Sequence, residues 1–345
     1  MSTPSHGRSP GLSLGAFARR PEAGSLVGLF LVFAFFAVLG GPVFVGAPGW
    51  SSWLNIAAEV GIVALPVGLL MIAGELDISV GAVIPASQMT AAIVSGFHGL
   101  PAPAGIACGL GVGLAVGFVN GYLVTRTAIS SLIITIGTMF SVMGLTLGFA
   151  VLVAGSTSVS LVPDPVTKLL LGTFIGGMFN VSMFWWAAFA VAIFYLLHVS
   201  PIGNWIFALG GDRESARNAG VPTSRLTIAL YMLSGFAAAF VGILQVATYT
   251  SAQVATGQPF IFNSIMCVVI GGVLLTGGAG SVAGIVIGTM TFAIVNQGIF
   301  FSGLDPNVGS VIIGALLLAA VLSNDTFRAL ALKHAARRGN RGEER

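Results

Sequence analysis

Lysine is almost missing from this chain: among 345 residues only Lys168, after Thr167, and Lys333, after Leu332, are present. A phosphate-binding loop of the common ATPase type needs a glycine-rich turn ending in Gly-Lys-Ser or Gly-Lys-Thr, which holds the lysine against the phosphates. Neither lysine has that setting, so ATP hydrolysis by this route is excluded. Cysteine is as scarce. Cys108 and Cys267 both fall in apolar runs, where a thiol behaves as a small hydrophobe, and two such residues make no disulfide framework. His6, His98, His198 and His334 are scattered with no partner at ligand spacing, which excludes a zinc-type site and any Ser-His-Asp constellation within the apolar body. Charge is the largest deficit, since Asp, Glu, Lys and Arg together make up 7% of the residues.

What is present is apolar. With 56% hydrophobic residues, a mean hydropathy of +0.98 and repeated runs long enough to cross ~30 Å of hydrocarbon, the chain reads as an all-α polytopic membrane protein. The 48 glycines would weaken water-soluble helices but suit a bilayer, where small residues let helix backbones approach. A pI of about 9.2 and a net charge of +3 do not point to nucleic acid, because the basic residues stand between the apolar runs and at the ends rather than in one patch.

About ten spans are expected, near Ser25–Val45, Trp53–Ala73, Val80–Phe97, Ala104–Val124, Ile129–Val153, Val181–Val199, Leu226–Thr248, Ile261–Leu275, Val282–Phe301 and Val308–Leu322. Residues 1–24 read as a polar tail and 324–345 as a basic one, with a polar segment at about 200–226 interrupting the membrane domain of 25–323. Alternating the spans puts Arg8, Arg19, Arg20, Arg126, Arg213, Arg217, Arg225, Arg328, Lys333, Arg337, Arg338, Arg341 and Arg345 on one side and leaves Lys168 alone on the other. The positive-inside rule makes the first side cytoplasmic and places both termini there. Arg19-Arg20 before an apolar run imitates a signal peptide, but the run is long and lacks an A-x-A site, so a retained span is expected. Ten spans could divide into two inverted five-helix halves around residues 154–180. The repeat of I-G-T-M at 136–139 and 287–290 does not support this, because it falls in spans that would not correspond.

Two polar clusters stand out against this background. Asp212, Arg213, Glu214 and Arg217 lie between Gly211 and Gly220, with the acidic residues early and the two arginines one turn apart, a pattern that suits a short exposed helix docking on a charged partner. A solvated loop whose arginines only enforce topology is the plainer alternative. The second cluster is acidic and close to or within the membrane, where a carboxylate costs roughly 2.5–3.5 kcal/mol on insertion scales. Glu59 lies inside the second span, four residues after Asn55. Glu75 and Asp77 stand in G-E-L-D-I-S-V-G at 74–81, where Asp77 and Ser79 suit either a cap for the third span or a place on a permeation path.

Five separated blocks carry a resemblance: G-E-L-D-I-S-V-G at 74–81, G-F-V-N-G at 117–121, L-I-I-T-I-G-T-M at 132–139, A-L-G-G-D-R-E-S-A-R-N-A-G-V at 208–221 and V-V-I-G-G-V-L-L-T-G-G-A-G-S-V-A-G at 268–284. In order and spacing the chain resembles the ribose-type (monosaccharide) permeases of bacterial ATP-binding-cassette importers over roughly residues 50–323. The resemblance implies a non-enzymatic subunit of the inner membrane that works as a pair, two copies or a copy and a paralogue. It further implies a cytoplasmic ATP-binding-cassette ATPase, a periplasmic or lipid-anchored solute-binding protein, and no cofactor. Monosaccharides lead the expected solutes, followed by sugar alcohols, furanosyl signals and nucleosides.

A neutral polyhydroxylated solute needs donors and acceptors with little net charge, so Asn55, Gln88, Asn120, Gln245, Asn263, Asn296 and Gln297 are candidate path residues beside Glu59, Glu75 and Asp77. Helix–helix hydrogen bonding is the plainer role for each. Trp50, Trp53, Trp185 and Trp186 fall near span ends, where an interfacial belt is expected. The rival reading is a proton-coupled secondary transporter of a small polar solute, in which the three acidic residues would carry protons.

Overall fold

The computed structural model describes residues 21–303 together with 305, 311, 314 and 315. The tails 1–20 and 324–345 lie outside the described residues, as does nearly all of the expected span Val308–Leu322. Among the described residues eight helices are long and apolar enough to cross a membrane. They are α1 (Pro21–Val45), α2 (Ala47–Ile72), α3 (Val80–Ala91, prolonged by a π-helical turn Ala92–Phe97), α4 (Ala102–Arg126), α5 (Ser131–Ala154), α7 (Ser182–Phe194, prolonged by a π-helical turn Tyr195–Val199), α10 (Thr223–Tyr249) and α12 (Val282–Phe301). Shorter elements complete the chain: α6 (Pro165–Thr167), α8 (Pro201–Gly211), α9 (Arg213–Asn218) and α11 (Gln258–Ile270), with the strand pairs β1 (Ser158–Ser160) to β4 (Ser251–Gln253) and β2 (Phe174–Ile175) to β3 (Phe179–Asn180), both antiparallel. The first helix starts at Pro21, so the polar tail ends earlier than residue 24.

Local chemistry sets these boundaries. Proline stands at the first or second position of α2, α4, α6, α8 and α11, where its missing N–H has no intrahelical partner to lose. The Ser281 side chain caps α12 by accepting the Gly284 N–H at 3.1 Å, and Gly155 closes α5 in the left-handed conformation, which glycine adopts without strain. The expected span Ile261–Leu275 is instead the 13-residue α11, about 20 Å at 1.5 Å per residue, followed by a glycine-rich connection.

Contacts between connections show which helix ends lie together. Gly278 N–H donates to the Ile72 carbonyl at 2.8 Å, the Ser131 hydroxyl accepts from Leu76 N–H, and His198 Nε2 accepts from Val282 N–H. These bonds bring the ends of α2 and α7 and the starts of α3, α5 and α12 to one end of the bundle. β1 and β4 pair at the other. Helices α2, α3, α10 and α12 are buried along most of their length, while α1, α5 and α7 turn side chains such as Phe30, Phe140, Leu152 and Val191 outward. So much exposed apolar surface belongs in lipid.

Glycine divides the same way. On α4, Gly105, Gly109, Gly113, Gly117 and Gly121 repeat every four residues on one buried face, and a β-carbon at Gly113 or Gly117 would overlap the Gly235 or Tyr231 carbonyl of α10. On α5, Gly137, Gly144 and Gly148 face open space.

Candidate functional site

The connection between α2 and α3 is densely hydrogen-bonded. Asp77 is 1% exposed. Its Oδ1 accepts from Ser79 N–H at 3.0 Å and from the Ser79 hydroxyl at 2.6 Å, while its Oδ2 accepts from the Ser234 hydroxyl of α10 at 2.8 Å. Asn120 of α4 donates to Ser79 Oγ at 2.8 Å, and the Tyr231 hydroxyl of α10 donates to the Leu76 carbonyl at 3.0 Å. The turn therefore ties α3, α4, α5 and α10 together. Burial pushes the Asp77 carboxyl above the usual aspartate range, against the opposing pull of Ser79 and Ser234, because a charge removed from water is disfavoured.

Glu75 lies at the rim of this turn. Its Oε1 is 2.9 Å from Arg213 Nη2, with side-chain exposures of 11% for the glutamate and 45% for the arginine. Burial raises its pKa, and the nearby Ser131 hydroxyl and Arg213 guanidinium only partly offset that. The same Arg213 nitrogen donates to the Thr227 hydroxyl of α10 at 2.9 Å.

Arg213 opens α9, the six-residue helix within the expected 211–220 segment. The Asp212 side chain accepts from Ser215 N–H and caps the helix, and this bond holds its carboxyl below the usual range. Gly220, in the left-handed conformation with φ 87°, ends the segment. Ala216 is buried, while Glu214 and Arg217 are exposed and form no ion pair among the described residues. Beneath the helix the last turn of α8 meets the α2–α3 and α11–α12 connections backbone to backbone. A β-carbon at Gly210 would overlap the Ile72 carbonyl, and one at Gly277 would lie 2.9 Å from both the Gly210 carbonyl oxygen and Gly74 Cα. The described arginines, Arg126, Arg213, Arg217 and Arg225, all lie at this end, while Lys168 stands in the connection at the opposite end.

The other expected residues are dispersed. Glu59, midway along α2, accepts from Gln245 of α10 at 2.8 Å. Asn55 donates to the Met178 carbonyl and accepts from Asn180 N–H, both at 2.9 Å, and so holds the β2–β3 hairpin. Gln88, 1% exposed, donates to the Gln253 carbonyl at 2.8 Å and to Thr256 Oγ1, which fastens α3 to the β4 end. Asn296 accepts from Gln297 at 3.1 Å, and Gln297 in turn accepts from Ser52 of α2. Asn263 is half-buried on α11. Two of the expected belt tryptophans are buried instead: Trp53 and Trp186 are 2% and 8% exposed, because Phe33 of α1 packs edge-on against Trp53 and the Trp186 indole lies over Gly61 of α2. Trp50 and Trp185 keep more exposure and donate to the Val45 and Leu170 carbonyls at 2.9 Å.

Residues 49–321 match the family described as "Branched-chain amino acid transport system / permease component". The chain belongs to this family. It is 30% identical over 318 residues to the fructose import permease protein FrcC of Rhizobium meliloti, covering 90% of this chain and 87% of that protein. It is also 30% identical over 281 residues to the autoinducer 2 import system permease protein LsrD of Photorhabdus laumondii, covering 80% and 81%. The solved structure "PsaBC from Streptococcus pneumoniae in complex with Fab" superposes with a TM-score of 0.48 at 19% identity, covering 82% of this chain and 94% of that one. The resemblance to sugar-type importer permeases carried by the five motif blocks is borne out.

Proposed function

We propose that this chain forms the translocation path of an ATP-binding-cassette importer for a sugar-like, polyhydroxylated solute in a bacterial cytoplasmic membrane. The observation that carries the reading, given the family, is the exposed Glu214–Arg217 face of α9 at the end where every described arginine lies. We read that end as cytoplasmic by the positive-inside rule and α9 as the docking element for a separate ATPase. The described crossing helices alternate in direction from α1 to α10, the short α11 brings the chain back to the arginine end, and α12 leaves from there again. Counting α11 with the eight long helices, a further crossing over Val308–Leu322 would make ten, return the C-terminus to the cytoplasm and allow two five-helix halves divided at the 155–181 connection. A solute-binding protein would deliver the solute at the β1–β4 end, and a second permease copy or paralogue would complete the path. Half-buried Asn263 and Asn296, with Glu59 and Gln245, are the polar groups best placed to line it. Asn55, Glu75, Asp77, Gln88 and Asn120 hold connections and helices in place.

ATP-driven closure of the partner subunits would move α9 and re-aim the bundle about a weak central site. The test is transport by the complex co-expressed with its ATPase and reconstituted in proteoliposomes. Uptake should need the binding protein and stop with vanadate. Glu214→Ala combined with Arg217→Ala should leave insertion intact, weaken ATPase co-purification and uncouple hydrolysis from uptake. Unchanged binding and coupling in that double variant would refute the docking role. The Glu59–Gln245 pair is the observation that favours proton coupling instead, and uncoupler-sensitive uptake without any ATPase would establish it.

A further inference from the structure

The two arginines of α9 face different ways. Arg213 and Ala216 are on the side turned to the protein, where Arg213 reaches Glu75 and Thr227 at 2.9 Å each and Ala216 is 3% exposed. Glu214 and Arg217, one position further along, point outward. A docking helix that offered all its charges to a partner would leave Arg213 free, yet its guanidinium makes two connections inward, to Glu75 between α2 and α3 and to Thr227 in the first turns of α10.

Those connections lead directly into the bundle. Glu75 is two residues from Asp77, whose bonds to Ser79 and Ser234 fix the start of α3 against α10. Thr227 lies one turn before Tyr231 on α10, and the Tyr231 hydroxyl returns to the Leu76 carbonyl of the same turn. Beneath the ion pair Gly74, Gly210 and Gly277 touch through backbone atoms. Side chains that could rearrange and absorb a displacement are absent from that contact, and close-packed interiors transmit strain.

From this geometry we infer that the Glu75–Arg213 ion pair is a positioning element that transmits the motion of α9 to α3 and α10, separate from the outward face that binds the ATPase. This rests on the reading of α9 as the docking helix. In this arrangement Glu214 and Arg217 grip the motor, while Arg213 pulls on the turn that opens α3 and, through Thr227, on α10. Glu75 acts through other groups and does not touch solute.

The experiment uses the whole importer, co-expressed with its ATPase in a background lacking Cys108 and Cys267. Glu75→Gln and Arg213→Gln should each keep ATPase co-purification at the wild-type level while solute taken up per ATP hydrolysed falls about tenfold, within the range of usual coupling free energies. The charge reversal Glu75→Lys with Arg213→Glu should recover most of that loss. So should Glu75→Cys with Arg213→Cys once bridged by a short bifunctional thiosulfonate, and reductant should abolish the recovery. Wild-type coupling in both single variants would overturn the inference, as would failure of both the reversal and the bridge to restore it. Loss of ATPase co-purification in the single variants would also overturn it, by assigning the pair to docking. If instead Glu214→Ala with Arg217→Ala leaves ATPase binding intact, the docking reading fails on its own, independently of the pair.

Discussion

Asp77 gives the sharpest test of how the acidic turn works. Replacing it by alanine removes the acceptor for Ser79 N–H and for the Ser79 and Ser234 hydroxyls in a site with 1% exposure. The two hydroxyls can rotate toward other acceptors, but the N–H cannot. One or two buried donors left without a partner cost about 1–6 kcal/mol in total. Asparagine should behave quite differently. Its Oδ1 can keep both Ser79 bonds, and its amide can donate to Ser234, whose hydroxyl serves equally as acceptor. Because the folded carboxyl titrates above the ordinary aspartate value of 3.8, its contribution to stability is fully present below that value and is lost as pH rises through the raised folded value. The wild type should therefore lose stability relative to Asp77→Asn as pH rises above the ordinary aspartate value of 3.8, while Asp77→Ala stays less stable than Asp77→Asn throughout. Thermal unfolding of detergent-solubilised protein, followed by fluorescence-detected size exclusion at several pH values, reads all three. A parallel pH response in Asp77→Asn and wild type, or an asparagine variant as unstable as the alanine one, would refute the account. Wild-type stability and transport in Asp77→Ala would remove any role for the side chain.

Single cysteines at Ser158, in β1, and Ser215, in α9, should label from opposite sides of the membrane in a background free of Cys108 and Cys267; same-side labelling would defeat the proposed topology. Gly117→Val should lower stability by at least about 1–3 kcal/mol, the usual cost of overpacking, since its first added carbon already meets the Tyr231 carbonyl, whereas Gly144→Val on the open face of α5 should change detergent stability little. Equal melting shifts for those two glycine variants would contradict the helix faces described. Glu59→Gln preserves a hydrogen-bonding group opposite Gln245 and should retain most solute uptake in an ATP-driven importer; complete loss of uptake would favour proton carriage.

Much of this molecule is readable along one dimension. Composition and run length are local properties, so the membrane class, eight of the spans and the short helix between Gly211 and Gly220 follow from the order of residues, and five motif blocks suffice for the family. The limits appear where one helix face must be told from another. In water an apolar stripe marks the inside of a helix, but lipid is as apolar as a protein core, so the spans carry little contrast between buried and outer faces. Sequence alone therefore treats Gly117 and Gly144 alike, and treats Trp53 and Trp186 as belt residues although neighbouring helices cover them. The same holds for the charged groups. Asp77 and Ser79 read as a cap for the third span, yet neither side chain caps that helix; Asp77 bonds Ser79 itself, and its acceptor role toward Ser234, 157 positions away, arises only when α10 lies beside α3. Ser234, Tyr231 and Thr227 look like ordinary span residues until then. The pattern in residues 212–217 announces a helix, yet the inward turn of Arg213 toward Glu75 depends on Gly74, Gly210 and Gly277 meeting at one point, which only the packed chain decides.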